Sequence, residues 1–178
     1  MKYRLLTTAG LVLCAMLASA GTAGKAGIAV DDSVITAKIK TALVEDSTTK
    51  ARLIKVKTVH GVVQLSGFVN SSESKQRAEA IAADTEGVTE VHNDLEVRDT
   101  EKTAGERLDD SVLTTKVKAA LVGNTSTKAR EIKVTTLRGV VQLSGFVDSA
   151  DAKAEAARVA ANVNGVKEVE NNLRVKSL

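Results

Sequence analysis

The sequence predicts an α+β protein made of two tandem αββαβ domains, each a three-stranded sheet with two helices packed on one face. Three observations lead to this prediction. Residues 31–100 and 109–178 align without a gap, and about 39 of the 70 aligned positions are identical. The nine residues GVVQLSGFV occur unchanged at Gly61–Val69 and Gly139–Val147. Within each copy, the spacing of apolar residues changes from helical to alternating and back again.

Each copy begins with a helix, which residues 32–44 form in the first copy. Ile35, Ile39 and Leu43 recur at helical spacing. Asp31 stands in front of them, at a position where aspartate commonly caps a helix. We therefore expect one buried face on this helix and one solvated face that carries its lysines.

The repeated nine-residue stretch is predicted to be the second strand of a β-hairpin. His60-Gly61 offers a two-residue turn, with glycine where a positive φ is favoured, and Arg138-Gly139 does the same in the second copy. Side chains then alternate between a buried apolar face and a second face, which carries polar residues and one phenylalanine. We expect this second face to be half open to solvent.

A glycine inside each repeated strand, Gly67 or Gly145, indicates that another element approaches the backbone closely. We expect that element to be a helix that crosses over the glycine. On this prediction, Gly145→Val destabilises the second domain more than a surface substitution would.

An alanine-rich helix and a third strand complete each copy. A capping-box pattern begins at Asn70. Gly87 and Gly165 are the expected helix stops, and alternating apolar residues after each of them predict the last strand. In this order the three strands form one sheet, and both helices cover the same face of it.

The first 20 residues have the pattern of a secretory signal peptide. Lys2 and Arg4 precede an apolar run, and a small-x-small motif ends at Ala20, so we expect cleavage after Ala20. The run is shorter than the roughly 20 residues that span a bilayer, and we expect no span in the mature chain. Cys14, the only cysteine, lies inside the run without the context of a lipoprotein signal, so we expect it not to be lipidated.

The remaining boundaries follow from the repeat. Residues 21–30 are rich in glycine and alanine and are predicted to be a flexible leader. The first domain spans 31–98 and the second 109–178. Residues 99–108 are polar and are predicted to be a linker of limited reach.

The charge is small overall but uneven. The formal net charge is +3, and removal of the two basic residues of the signal peptide leaves about +1, which argues against nucleic-acid binding. The aromatic residues that a single-strand platform needs are also scarce. Residues 31–98 carry nine basic and eleven acidic side chains, whereas 109–178 carry eleven and eight. The second domain is therefore the better candidate for contact with anions.

No set of residues fits a catalytic, cofactor or metal site. His60 and His92 are replaced by arginine and glutamate in the second copy, and no pair of histidines has the spacing of metal ligands. Ser66 and Ser144 precede glycine but lack the first glycine of a nucleophile elbow. We therefore predict a protein without enzymatic activity, cofactor or metal.

Each copy resembles a BON domain, a module of bacterial envelope proteins. The residues that carry the resemblance are DDSVITAKIKTAL, HGVVQLSGFV and GVTEVHNDLEV in the first copy, and DDSVLTTKVKAAL, RGVVQLSGFV and GVKEVENNLRV in the second. Nearly all of the mature chain is covered. The resemblance implies an αββαβ fold and a periplasmic osmotic-stress protein without enzymatic activity. It also implies association with phospholipid membranes, or chaperone-like help to envelope proteins.

These two functions predict different contact surfaces. Anionic phospholipid would meet basic residues of the second domain, because each basic residue near a charged membrane adds about 1 kcal/mol. The candidates are Lys116, Lys118, Arg130, Lys133 and Arg138. Envelope proteins would instead meet the open sheet face, where Phe68 and Phe146 are the candidates.

Overall fold

The computed structural model of the protein describes residues 31–49, 51–124, 127 and 129–176. The predicted signal peptide, its cleavage after Ala20, Cys14 and the predicted leader lie outside the described residues. Within the described ranges, no helix is both long enough and apolar enough to cross a membrane.

The two copies have the predicted αββαβ order. The first contains α1 (Asp32–Glu45), β1 (Ile54–Val59), β2 (Val62–Val69), α2 (Ser72–Ala83) and β3 (Glu90–Val97). The second contains α3 (Ala104–Gly123), β4 (Ile132–Leu137), β5 (Val140–Val147), α4 (Ala150–Ala161) and β6 (Glu168–Val175). Short 3₁₀ helices, Ala51–Leu53 and Ala129–Glu131, precede β1 and β4.

Each copy forms one three-stranded sheet with the repeated strand in its centre. β2 pairs antiparallel with β1 and parallel with β3, and β5 has the same neighbours in the second sheet. Both helices of a copy pack on one sheet face, as predicted. The first core contains Ile35, Ile39, Leu43, Val63, Leu65, Ala78, Ala82 and Leu95, and equivalent residues form the second. Alanines on α2 and α4 keep the helices close to the sheets.

Hydrogen bonds at the element ends explain where the helices and hairpins lie. Asp31 caps α1 by accepting from the Ser33 backbone N–H at 2.7 Å. Residues 60 and 61, and their equivalents 138 and 139, all have positive φ, which gives the predicted two-residue hairpin turns. The α2 and α4 helices end at Ala83 and Ala161, earlier than expected. Gly87 and Gly165 lie in the turns that follow, with φ of +91° and +101°.

The helix expected over Gly67 and Gly145 is absent from those positions, so that prediction is wrong. A Cβ atom on Gly67 would lie 1.9 Å from the backbone oxygen of Leu53. On Gly145 it would lie 2.1 Å from the backbone oxygen of Glu131. Leu53 and Glu131 end the 3₁₀ helices, so the element that approaches each glycine is the backbone that enters the adjacent edge strand.

The predicted linker at 99–108 is partly helical, because α3 begins at Ala104. Thr103 and Glu106 form a capping box at this start. Lys102 reaches back to the second domain, where its ammonium group lies 2.5 Å from a carboxylate oxygen of Asp110. The side chains of Lys102 and Asp110 are 6% and 7% exposed. The connection is therefore anchored to the second domain.

The two sheets pack against each other through the faces that no helix covers. Phe68 is 1% exposed and Phe146 is 6% exposed. The expectation of a half-open sheet face is therefore wrong, since each sheet covers the other. A contact between these phenylalanines and another protein would require the domains to separate.

Candidate anion-binding surfaces

The centre of the interdomain interface is made by the repeated strand and its copy. Ser66 Oγ lies 2.6 Å from Ser144 Oγ. The Gly145 backbone N–H donates to Gln64 Oε1 at 2.7 Å, and the Gly67 backbone N–H donates to Gln142 Oε1. The contact of Gln64 with Gly145 is thus repeated by the equivalent residues, Gln142 and Gly67, 78 positions away. The two domains are therefore related by a pseudo-twofold axis. Gln64, Ser66 and Gly67 recur as Gln142, Ser144 and Gly145, so both copies make the same contacts across this axis.

Opposite charges close the interface where β3 and β6 lie. The Arg174 guanidinium is 3.1 Å from an oxygen of Asp94. The Arg98 guanidinium is 2.5 Å from Glu170 Oε1 and lies over the Phe68 ring, 6.0 Å from its centroid. In the other domain the equivalent of Arg174 is an acidic residue, Glu96. Part of the basic gain of the second domain therefore serves domain pairing.

Like charges meet at the opposite side of the interface, where β1 and β4 lie. A cavity of about 420 Å³ opens there, with apolar walls from both domains. Its cationic lining consists of Lys40, Lys55, Lys118, Arg130 and Lys133, and we call it the lysine cleft. Within the described residues, none of these five cations forms a salt bridge with a carboxylate.

Two lysines of the lysine cleft, Lys55 and Lys133, have lowered pKa values. Burial lowers the pKa of Lys55, and the nearby Lys118 and Lys40 lower it further. Burial also lowers the pKa of Lys133, followed by the charge of Lys57 and then of the other cleft lysines. Burial and neighbouring like charges both disfavour the protonated amine, so the two shifts have the direction expected for partly buried lysines among other cations.

A second surface that carries cations lies on α3, away from the interface. Leu108 and Val112 are 66% and 46% exposed on successive turns, and Lys116 follows one turn later. A cavity of about 520 Å³ joins these residues to Arg138 and Lys167. We call these five residues the α3 surface. It combines exposed apolar side chains with three cations. Glu106, Asp109 and Asp110 line the same cavity, where Glu106 pairs with Arg138 and Asp110 with Lys102.

Arg138 is the most constrained cation of the α3 surface. Its guanidinium lies 3.2 Å from Asp99 and 3.2 Å from Glu106. The hydrogen bond to Asp99 is the main reason that the pKa of Arg138 is raised. Because its charge is already compensated, Arg138 fixes the interdomain connection more than it offers a free contact.

The structure divides the five predicted lipid contacts between these two surfaces. Lys118, Arg130 and Lys133 line the lysine cleft, whereas Lys116 and Arg138 belong to the α3 surface. Lys40 and Lys55 are not among the residues predicted from sequence, because anion contact was expected mainly in the second domain. Leu108, Val112 and Lys167 are not among them either. The helical spacing of 108, 112 and 116 was a usable signal, but it lay partly inside the predicted linker.

The residues considered for chemistry have ordinary partners. Ser66 and Ser144 are buried against each other. His60 is exposed in its turn, and His92 Nε2 lies 3.4 Å from a carboxylate oxygen of Glu90. Over the part of the chain that the structure describes, no group of three or more His, Cys, Asp or Glu side chains could hold a metal ion.

Comparison with known proteins agrees with this architecture. The sequence profile of the BON domain matches residues 31–99 and 109–177. The chain is 44% identical over 153 residues to osmotically-inducible protein Y of Escherichia coli K12, which covers 85% of this chain and 76% of that protein. It is 40% identical over 146 residues to a 21 kDa hemolysin of Actinobacillus pleuropneumoniae, a match that covers 81% of this chain and 74% of that protein. It is 36% identical over 145 residues to outer membrane lipoprotein DolP of Haemophilus influenzae, a match that covers 80% of this chain and 74% of that protein. None of these three names describes an enzyme. The chain belongs to the BON domain family and carries two BON domains in tandem.

Proposed function

We propose that the protein is an exported osmotic-stress protein of the periplasm that binds anionic phospholipid membranes without catalysing a reaction. The names of two relatives, an osmotically-inducible protein and an outer membrane lipoprotein, support a role in the cell envelope. The signal-peptide pattern of the first 20 residues supports export.

The α3 surface carries the membrane contact. The observation behind this is the exposure of Leu108 and Val112 beside Lys116. Apolar side chains that cannot be buried within the domain can enter the boundary between headgroups and acyl chains, while neighbouring lysines meet anionic headgroups. Lys167 completes this arrangement, and its equivalent in the first domain is the uncharged Thr89. The first domain has an exposed Val34 and Lys38 at the positions equivalent to Val112 and Lys116, but Lys38 is paired with Glu86 at 3.2 Å.

Neutralising the two lysines of the α3 surface, for which the described residues provide no ion-pair partner, tests the proposal. Lys116→Gln combined with Lys167→Gln removes about 2 kcal/mol of attraction, at about 1 kcal/mol for each basic residue, so binding should weaken about 30-fold. Co-sedimentation with phosphatidylglycerol vesicles at low salt measures this, and phosphatidylcholine vesicles report the uncharged background.

A matched variant controls for the loss of two positive charges. Lys75→Gln combined with Lys153→Gln changes equivalent positions on α2 and α4, away from both basic surfaces, and should bind vesicles as the wild type does. Equal loss of binding in the two double variants would show that binding depends on the net charge of the protein and not on the α3 surface. Failure of the wild type to bind phosphatidylglycerol would reject the membrane function itself.

A further inference from the structure

The two sides of the interdomain interface differ in how their charges are balanced. Where β3 and β6 lie, Arg174 meets Asp94 and Arg98 meets Glu170. Where β1 and β4 lie, the charged side chains that meet among the described residues are cations. The first domain contributes Lys40, Lys55 and Lys57, and the second contributes Lys118, Arg130 and Lys133. The charges at the interface are therefore balanced on the side of β3 and β6 and unbalanced on the side of β1 and β4.

The cations of the lysine cleft are related by the pseudo-twofold axis. Lys40 and Lys118 are equivalent positions, and so are Lys55 and Lys133. Lys55 pairs with Ser66 across its sheet, and Lys133 pairs with Ser144. Since these two serines contact each other at the axis, their lysine neighbours approach from both sides. The cleft thus presents two matching pairs of amines to a ligand between the domains.

A second polar group without a partner lies beside this cluster. A cavity of about 500 Å³ shares Lys55, Lys118 and Val134 with the lysine cleft and is also lined by Thr135. Thr135 is 5% exposed, and within the described residues its Oγ1 has no hydrogen-bond partner. Amines and a hydroxyl are all donors that phosphate oxygens accept from.

We propose that the lysine cleft binds a multiply charged anion of the phosphate class, and that the bound anion completes the interdomain interface. Several amines from each domain favour an anion with at least two negative charges, because a single charge would leave most of the repulsion in place. Such an anion performs, between β1 and β4, the role that the arginine–carboxylate pairs perform between β3 and β6. The site is separate from the α3 surface, so it does not depend on the membrane proposal.

Thermal unfolding in pyrophosphate tests this site. Compared with sodium chloride of equal ionic strength, saturating pyrophosphate should raise the melting temperature of the wild type by about 3 °C. Lys55→Gln combined with Lys133→Gln should abolish this shift. In chloride the same variant should melt no lower than the wild type, because it removes repulsion between like charges. Lysines that only supported the fold would give the opposite result, a lower melting temperature.

Two further variants make the result specific. Lys40→Gln combined with Lys118→Gln changes exposed helix positions, and should also remove the pyrophosphate shift even if the first variant folds poorly. Lys116→Gln combined with Lys167→Gln should keep the shift while losing vesicle binding, which separates the two surfaces.

Vesicles that contain cardiolipin, a lipid whose headgroup carries two phosphate charges, distinguish the source of the phosphate. If the ligand is soluble, pyrophosphate titrated by calorimetry binds the wild type, and substitutions in the lysine cleft leave vesicle binding unchanged. If the ligand is a headgroup, the same substitutions weaken vesicle binding about tenfold or more. The proposal is overturned if neither pyrophosphate nor vesicle binding responds to the cleft substitutions.

Discussion

Replacing Gly145 with alanine is expected to unfold the second domain. The residue has φ +126°, and a Cβ atom would lie 2.1 Å from the Glu131 backbone oxygen. That oxygen cannot move away easily, because the next residue, Ile132, pairs with Gly145 in the sheet. The cost should exceed about 4 kcal/mol, which is a large part of the roughly 5–15 kcal/mol that stabilises a typical domain. Urea unfolding combined with amide hydrogen exchange of β4 and β5 measures it.

The appropriate control is another glycine that has space around it. A Cβ atom on Gly105, in the first turn of α3, would meet nothing within 4 Å. Gly105→Ala should therefore leave stability unchanged or raise it by up to about 1 kcal/mol. Gly67→Ala should repeat the Gly145 effect in the first domain, since its Cβ would lie 1.9 Å from the Leu53 oxygen. A Gly145→Ala protein that melts with the wild type would contradict the packing seen here.

The order of elements within one domain could be predicted from sequence because its causes are local. Ile35, Ile39 and Leu43 lie at helical spacing, and all three are buried in the core. The hairpin turn needs two positive φ angles, and His60-Gly61 provides them. The close approach to Gly145 was also predicted, but the approaching element was not. A glycine within a strand indicates that there is no room for a side chain. It does not indicate which part of the backbone fills that space.

The packing of the two domains could not be predicted from the pattern of one strand. Gln64 and Ser66 alternate with apolar residues, which is typical of a solvated sheet face. In the structure their polar groups are buried and pair with Gly145 and Ser144. Hydrogen bonds between two domains satisfy buried polar groups as well as water does. The available signal was the identity of nine residues, including polar ones that a freely exposed face does not require.

The uneven charge of the domains proves to have several separate causes. Glu96 in the first domain becomes Arg174 in the second, and Arg174 pairs with Asp94 across the interface. His60 becomes Arg138, which holds Asp99 of the connection. Lys167, in place of Thr89, adds a cation to an exposed surface that also carries apolar side chains. A net charge summed over a domain cannot separate these roles, because they depend on which residues face each other.

Replacing Asp110 with alanine is expected to destabilise the second domain by about 3–5 kcal/mol, the usual cost of removing one partner of a buried ion pair. Its carboxylate is 7% exposed and faces the equally buried Lys102 ammonium. It also accepts the backbone N–H groups of Arg138 at 2.9 Å and Gly139 at 3.1 Å. The variant therefore leaves the buried Lys102 without its carboxylate, with the Thr136 backbone oxygen still 3.1 Å away, and leaves the two turn N–H groups without their acceptor. The free energy of unfolding in urea measures the loss.

Asp32 supplies the matched control for Asp110. It accepts the N–H groups of His60 and Gly61 at 2.7 and 2.8 Å but is not buried against a lysine, so Asp32→Ala should cost only about 1–2 kcal/mol.

The dependence of stability on pH gives an independent measurement of the same carboxylate. Burial raises the pKa of Asp110, but the hydrogen bonds from Lys102 and from the turn outweigh it, and the pKa is lowered. Its stabilisation is therefore present above the unfolded pKa of about 4 and lost as the pH falls through the folded pKa. Asp110→Asn should lack this loss, whereas Asp32→Asn should retain it. Equal acid sensitivity of wild type and Asp110→Asn would show that the buried pair does not stabilise the domain.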